Sequence, residues 1–296
     1  MRVISTQNLT KKYGRITAVN NLNLQVEAGQ VFGILGPNGS GKTTTLGMLA
    51  GVTNATSGSF TWFGQENGHS VRKRLGIILE RPNFYPYMNA QKNLEIVASI
   101  KGVKTDRIAN VLKTVGLYER RLDRFKTYSL GMKQRLSIGS ALLNDPEVLV
   151  LDEPTNGLDP QGIAEIRELI IEIAKTGKTI VVASHLLDEV QKVCSHFMVM
   201  SKGNKLHQGP VADVDGETRT IELATENLDN LKSILSESGL TQDVTEEKGK
   251  ILVTVNHEIT PQKLNAHLVD KQIVLSHLAE RKSTLEEKFL DILAKS

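Results

Sequence analysis

The chain has 296 residues, 40% hydrophobic and 23% charged, with 24 glycines, 8 prolines and one cysteine. This composition excludes a wholly disordered or collagen-like chain and allows one large or two smaller domains, each with a real core. The 36 basic and 33 acidic side chains leave a formal charge of +3, and aromatics are scarce at 4%, so neither a polyanion-binding footprint nor a base-stacking surface is expected. The lone Cys194 excludes an intramolecular disulfide framework and fits a reducing cytosol. No apolar run approaches the roughly 18 residues that span a bilayer, and the polar start from Met1 to Asn8 leaves no signal-peptide core. A soluble intracellular α/β protein is expected.

Strands are predicted at Val3 to Leu9, Leu22 to Val26 and Gln30 to Leu35, then a glycine-rich turn and a helix from Lys42 to Ala50. Buried-strand candidates follow at Gly76 to Leu79, Val148 to Leu151, Thr179 to Ala183 and His196 to Ser201. Continuous apolar runs such as Val148-Leu149-Val150-Leu151 suit a mostly parallel sheet covered on both faces. From about 90 to 145 the pattern is helical alone. One apolar stripe holds Leu94, Ile96, Val97 and Ile100, another Ile108, Val111, Leu112 and Val115. This block reads as a helical subdomain inserted into an α/β core.

After Gly209-Pro210 the composition shifts, which places a boundary near 212 and divides the chain into 1–211 and 212–296. The second part is predicted as strand 218–224, helix 227–238, strands 242–246 and 250–255, helix 261–269, strand 272–279 and helix 284–294. The order βαββαβα implies a small antiparallel sheet with helices on one face, ferredoxin-like in plan.

Gly36-Pro37-Asn38-Gly39-Ser40-Gly41-Lys42-Thr43 fits G-x-x-x-x-G-K-[ST] between a predicted strand and a predicted helix. Glycines let backbone N–H groups converge on phosphate oxygens, and the helix N-terminus adds favourable potential. Lys42 reaches the β- and γ-phosphates in such a loop, and the Thr43 hydroxyl ligates Mg²⁺. The bland alternative, a glycine turn between strand and helix, accounts for the glycines but not for the Lys-Thr pair.

Val148 to Leu151 runs into Asp152-Glu153, which delivers two carboxylates to the carboxyl edge of the sheet. Alone they read equally well as solvated acids. Beside a phosphate loop, Asp152 becomes a Mg²⁺ ligand and Glu153 the general base for water. Tyr128-Ser129-Leu130-Gly131-Met132-Lys133-Gln134-Arg135 precedes an apolar helix. Ser129 there is locally an ordinary N-cap, and a phosphate-binding helix start is the functional alternative. His185 follows a predicted strand, and the other six histidines form no metal-site spacing. Tyr13 flanks a turn in Lys12-Tyr13-Gly14 and is also placed to stack on a base.

Set in order, these pieces resemble the ATP-binding cassette subunit of an ABC transporter over residues 1 to about 210. By that resemblance Tyr13 is the adenine-stacking aromatic, and Gly36 to Thr43, with Thr44 beside them, are Walker A. Ser129 and Gly131 belong to the signature usually written LSGGQ-x-Q-R, Asp152 and Glu153 to Walker B, Gly157-Leu158-Asp159 to the D-loop, and His185 is the switch histidine. The departures are Leu130 where the family commonly has glycine, Met132 where it has glutamine, and Glu80 at the Q-loop glutamine. A carboxylate at 80 still approaches Mg²⁺ and water, while adding negative charge beside phosphate. The segment Glu80-Arg81-Pro82-Asn83-Phe84-Tyr85-Pro86, the Leu-Gly-Met signature and Thr284 to Leu290 resemble the bacterial branch of bacitracin-, lantibiotic- and daunorubicin-type resistance exporters.

The resemblance implies an ATPase using ATP and Mg²⁺. In the family, Walker A of one cassette faces the signature of another, so a second copy or a paralogous ATPase subunit is expected as partner. Transport requires a separate membrane permease, which places the chain on the cytoplasmic face of the membrane. The permease is expected in the groove between the Glu80 loop and the helices after Asn89. Phe84, Tyr85, Tyr87 and Met88 either contribute to that contact or pack within the helical subdomain. A soluble ABC-type ATPase of translation or DNA repair is the rival, but such chains fuse two cassettes or insert a long coiled coil, and no nucleic-acid footprint is present. The part after 212 is open to a regulatory or dimer-stabilising role.

Overall fold

The computed structural model describes residues 1–66, 68–79, 83–212, 218–247, 249–256, 258–281 and Phe289. Its contacts group the chain into two compact units, Met1–Val211 and Ala212–Ala294. The first begins with β1 (Arg2–Tyr13), β2 (Ile16–Leu22), β3 (Gln25–Glu27) and β4 (Val31–Leu35), then α1 (Lys42–Leu49), β5 (Ser57–Trp62), α2 (His69–Arg72) and β6 (Leu75–Ile78). A helical stretch follows with α3 (Ala90–Lys101), α4 (Arg107–Thr114) and α5 (Leu130–Leu142). The unit ends with β7 (Val148–Asp152), α6 (Pro160–Lys175), β8 (Thr179–Ser184), α7 (Leu187–Val193), β9 (His196–Ser201) and β10 (Asn204–Pro210).

Two sheets share the first unit. The larger has the order β10-β9-β4-β8-β7-β6, parallel except for the β9–β10 hairpin. Its central strands are buried along their whole length, as their unbroken apolar runs require. The smaller is antiparallel, with β1 paired to β2, β3 and β5. Ile4, Val26 and Trp62 of the smaller sheet, Phe32, Val150, Val181 and Met198 of the larger, and Leu46 and Met48 of α1 form one core. Trp62 is fully buried, and its indole N–H donates to Leu49 O at 2.9 Å, so the ring enters the core with its polar atom satisfied.

Polar caps start the helices where the apolar periodicity begins. Asn89, Ser129 and Asp159 each accept a backbone N–H three residues on, at the starts of α3, α5 and α6. On α3 the buried stripe is Ala90, Leu94 and Ala98, while Ile100, expected in the core, is 80% exposed. Gly33 in β4 is set by packing: a β-carbon there would stand 2.6 Å from Val190 Cγ1 and 3.2 Å from Cys194 Sγ. Burial pushes the Cys194 thiol up to about 12, so the sulfur acts as an inert core atom.

The second unit comprises β11 (Thr218–Ala224), α8 (Leu228–Glu237), β12 (Thr241–Glu247), β13 (Lys250–Asn256), α9 (Pro261–Asp270) and β14 (His277–Arg281). Its strands are antiparallel in the order β12-β13-β11-β14. Leu231 and Leu235 of α8 and Leu264 and Leu268 of α9 pack with Ile221, Leu223, Ile251, Val253 and Val255.

Several expected elements differ. β1 and β2 form a longer hairpin than expected, and the run expected as one strand from Leu22 to Val26 is split between β2 and β3. The strand expected at 272–279 starts only at His277. Gln272 adopts φ +62° and Ile273 N–H bonds back to Leu268 O at 2.9 Å, so these residues close α9. The helix expected at 284–294 lies outside the described residues except for Phe289, which is helical and buried.

Candidate functional site

β4 ends at Leu35, and the loop from Gly36 to Gly41 turns the chain into α1 at Lys42. Gly41, the N-cap of α1, has φ +106°, and a β-carbon there would stand 2.4 Å from Ala18 O. Only glycine fits both demands. Pro37, Asn38 and Gly39 are exposed at the tip, whereas Gly36, Ser40 and Lys42 are buried and Thr44 is half-buried. The Ser40 hydroxyl is buried without a hydrogen-bond partner. Thr43 is exposed on the first turn of the helix.

The Lys42 ammonium donates to Gly36 O at 2.8 Å and lies 3.3 Å from Glu153 Oε1. The other Glu153 oxygen, Oε2, lies 2.8 Å from His185 Nδ1. The first residue of α1 and two residues that directly follow strands β7 and β8 thus form one continuous chain, and the side chains of Lys42 and Glu153 are 6% and 19% exposed. Asp152, the last residue of β7, is buried directly before Glu153.

Glu153 has φ +47°, unusual for a residue with a side chain. Its N–H donates to Ala183 O at 2.9 Å and its carbonyl accepts from Asn156 N at 3.1 Å, which holds the backbone in this turn. Leaving the strand there swings the carboxylate towards Lys42 and His185. Such a conformation costs on the order of 1–3 kcal/mol and persists where surrounding contacts impose it. Ser184 at the end of β8 accepts from Leu186 N at 3.0 Å and shapes the turn carrying His185. Sequence reasoning passed over Ser184; a small polar residue directly before the histidine was the available signal.

The structure therefore joins Lys42, Glu153 and His185 by direct contact. Tyr13 stands half-exposed at the end of β1 with the Lys11 ammonium 4.8 Å from its ring centroid. Ser129 caps α5 by accepting from Met132 N at 3.2 Å, with Gly131 one position inside the helix. Asp159 caps α6 through Gly162 N at 3.0 Å. Both local caps are thus present at positions to which the resemblance assigned nucleotide contacts. Glu80 lies outside the described residues. Phe84 packs edge-on against Phe125 at 5.2 Å, whereas Tyr85 and Tyr87 form an exposed ring pair 5.9 Å apart. Of the four apolar residues after the Glu80 loop, Phe84 thus packs on a neighbour, Met88 is half-buried, and Tyr85 and Tyr87 are exposed.

Among the described residues no group of three or more His, Cys, Asp or Glu side chains is arranged to hold a metal ion. No helix among the described residues is long and apolar enough to cross a membrane.

Comparison with known proteins agrees with this geometry. Residues 19–156 match the family described as ABC transporter. The chain is 34% identical to the bacitracin transport ATP-binding protein BcrA of Enterococcus faecalis, over 98% of this chain and 96% of that protein. It is similar to the solved structure of cbiO1 from Clostridium perfringens, described as part of the ABC transporter complex cbiONQ, with TM-score 0.66 and 29% identity over 72% of this chain and 90% of that one. A second solved cassette, described as a dimeric post-hydrolysis state bound to ADP and Pi, matches with TM-score 0.63 and 26% identity over 70% of this chain and 98% of its own. With a strand-to-helix glycine loop whose Lys42 meets a paired carboxylate and histidine, and with a relative matched along nearly its whole length, the chain belongs to the ABC transporter family, as an ATP-binding and ATP-hydrolysing subunit.

Proposed function

We propose that the chain hydrolyses ATP between two paired copies, or between itself and a paralogous subunit, and so drives a separate membrane permease that exports its cargo. The observation that carries the hydrolytic reading is the continuous contact from Lys42 through Glu153 to His185. Backbone N–H groups of Gly36 to Thr44 bind the phosphates, with Lys42 as the cation among them. Phosphate oxygens entering the loop compete with Glu153 for the Lys42 ammonium and leave the carboxylate to a water. Glu153 accepts the proton of that water as its oxygen bonds to the γ-phosphorus and the bond to the β–γ bridging oxygen breaks, releasing ADP and phosphate, and His185 orients the carboxylate. An oxygen-only set, the Thr43 hydroxyl and the Asp152 carboxylate, fits Mg²⁺, which binds through one or two carboxylates plus substrate phosphates. Mg²⁺ held there would neutralise developing phosphate charge.

Tyr13, exposed and close to the first turn of the chain, is assigned to the base of ATP. Ser129, Gly131 and Asp159 are assigned to the nucleotide held by the facing copy, since one chain carries one phosphate loop and one signature. ATP that contacts both copies favours the closed pair, and hydrolysis removes those contacts. The exposed Tyr85–Tyr87 pair supports the permease docking beside this loop. That surface would hold the chain peripherally at the cytoplasmic face of the membrane. The relative's role in bacitracin transport supports export of an antibiotic, peptide or lipid-like cargo. We assign residues 1–211 to the nucleotide cycle and those after 212 to an accessory role.

Affinity purification of tagged Glu153→Gln chain from detergent-solubilised native membranes with ATP tests this reading. A stoichiometric multi-span protein is the expected companion. Recovery only of ribosomes or nucleic-acid machinery, with control transporters intact, would overturn it.

A further inference from the structure

We propose that Leu130 is a positioning residue: it fastens the Ser129–Gly131 turn to the Gly157–Asp159 turn of the same chain, so that both meet the second copy as one surface. This rests on the paired-chain reading above. Leu130 opens α5 and is 45% exposed. Its Cδ2 lies 3.4 Å from where a β-carbon on Gly157 would stand, so the leucine covers the bare backbone of that turn. Gly131 adds a looser contact of ordinary van der Waals length with the same segment. A β-carbon there would stand 3.9 Å from Gly162 Cα and 4.0 Å from Leu158 Cδ2.

The turns on both sides of this contact are held locally. Ser129 Oγ accepts from Met132 N, and Asp159 Oδ1 accepts from Gly162 N. One turn further along, Arg135 of α5 reaches Glu165 of α6 at 3.3 Å, and its guanidinium also approaches the Val115 and Gly116 carbonyls that end α4. The two helices therefore touch through apolar contact at their starts and through an ion pair behind. The ion pair is partly exposed and contributes little alone. The apolar contact at the helix starts is the one that sets the spacing of the two turns. A glycine at 130 would leave Gly157 without it. In close-packed contacts a displacement on one side passes to the other, and a nucleotide bridging two chains is sensitive to such displacements.

Hydrogen exchange on the full chain without nucleotide is the first test. The Asn156, Leu158 and Gly162 amides report this segment, because Asn156 and Leu158 donate to the Glu153 and Thr155 carbonyls that lead into the turn, and Gly162 donates to Asp159 Oδ1 at its end. In Leu130→Ala, which keeps a strong helix former at the start of α5, their exchange is expected to accelerate about fivefold or more, and in Leu130→Met to return towards the original rate. With ATP and Glu153→Gln as background, Leu130→Ala is expected to weaken dimerisation about fivefold or more, because the two turns then meet the second copy without a fixed spacing. Binding of a fluorescent ADP analogue to the single chain is expected to stay unchanged. Unchanged exchange at these amides, or weakened nucleotide binding by the single chain, would overturn the proposal. If Glu153→Gln alone fails to dimerise with ATP, the paired-chain reading fails instead, and the exchange result still decides the contact within one chain.

Discussion

Replacing Lys101 with methionine isolates the effect of a buried charge on the stability of the first unit. The Lys101 ammonium donates to Ser140 O and Asn144 Oδ1, both at 2.8 Å, and the Asn144 amide donates to Lys73 O at 2.7 Å. The same amide also donates to Leu75 O at 3.2 Å, so the end of α3 is tied through the end of α5 to the strand β6. Burial lowers Lys101 from its ordinary 10.5 to about 8. At pH 7 the group is charged in both folded and unfolded chains, and burying that charge costs about 3 kcal/mol. As pH rises through 8 the folded chain releases the proton while the unfolded chain keeps it. The unfolded state then binds more protons, so this site adds stability as pH rises towards 10.5. Between pH 7 and 9 the gain is about 1 kcal/mol.

Methionine keeps the stem and cannot titrate. Its absolute stability also reflects two lost hydrogen bonds, so the informative quantity is the difference between the two proteins as a function of pH. Urea unfolding followed by Trp62 fluorescence reads the first unit specifically, since the single tryptophan lies in its core. Titrations shared by both proteins cancel in the subtraction. The original chain is expected to gain on the variant by about 1 kcal/mol from pH 7 to 9. Parallel stability profiles would refute the assignment of a buried, titrating lysine.

Two further substitutions test positions defined by close approach. Gly41→Ala forces a β-carbon against Ala18 O at a backbone angle that alanine resists, and ATP binding is expected to fall at least about tenfold by equilibrium titration. Wild-type affinity would show that the loop geometry tolerates a side chain there. Gly33→Ala pushes on Val190 and hence on α7, and is expected to lower stability by about 1–3 kcal/mol in the same fluorescence assay. An unchanged midpoint would show that α7 shifts without cost.

The parallel sheet was legible because its strands are short, continuous apolar runs that leave little choice of element. β2, β5 and β10 were missed for the opposite reason. Ser57-Gly58-Ser59 and Asn204 to Pro210 are largely polar and partly exposed, and these segments become strands by pairing with β1 and β9 rather than through their own patterning. The apolar run at Ile273 to Leu275 misled because periodicity cannot distinguish a strand from the closing turn of a helix, where Ile273 is bonded back to Leu268. Ile100 fitted the helical spacing of the α3 stripe, yet the Leu94–Ala98 side faces the core.

The site was legible where chemistry and local context coincide, as at the loop from Gly36 to Thr43. That Glu153 is bracketed by Lys42 and His185 depends on its positive φ and on strand ends distant in sequence. The Lys101–Asn144 bridge and the Leu130–Gly157 contact are likewise products of packing. No spacing in the chain announces them.

ATP hydrolysis by purified Glu153→Gln chain, measured beside the original under saturating nucleotide, tests the account most directly. Loss of the group that takes the proton from water is expected to slow turnover by about 100-fold or more. Sedimentation of the same variant should show ATP converting single chains into pairs. Hydrolysis at the original rate would contradict the role of Glu153 and, with it, the reading of the Lys42–Glu153–His185 chain as the hydrolytic centre.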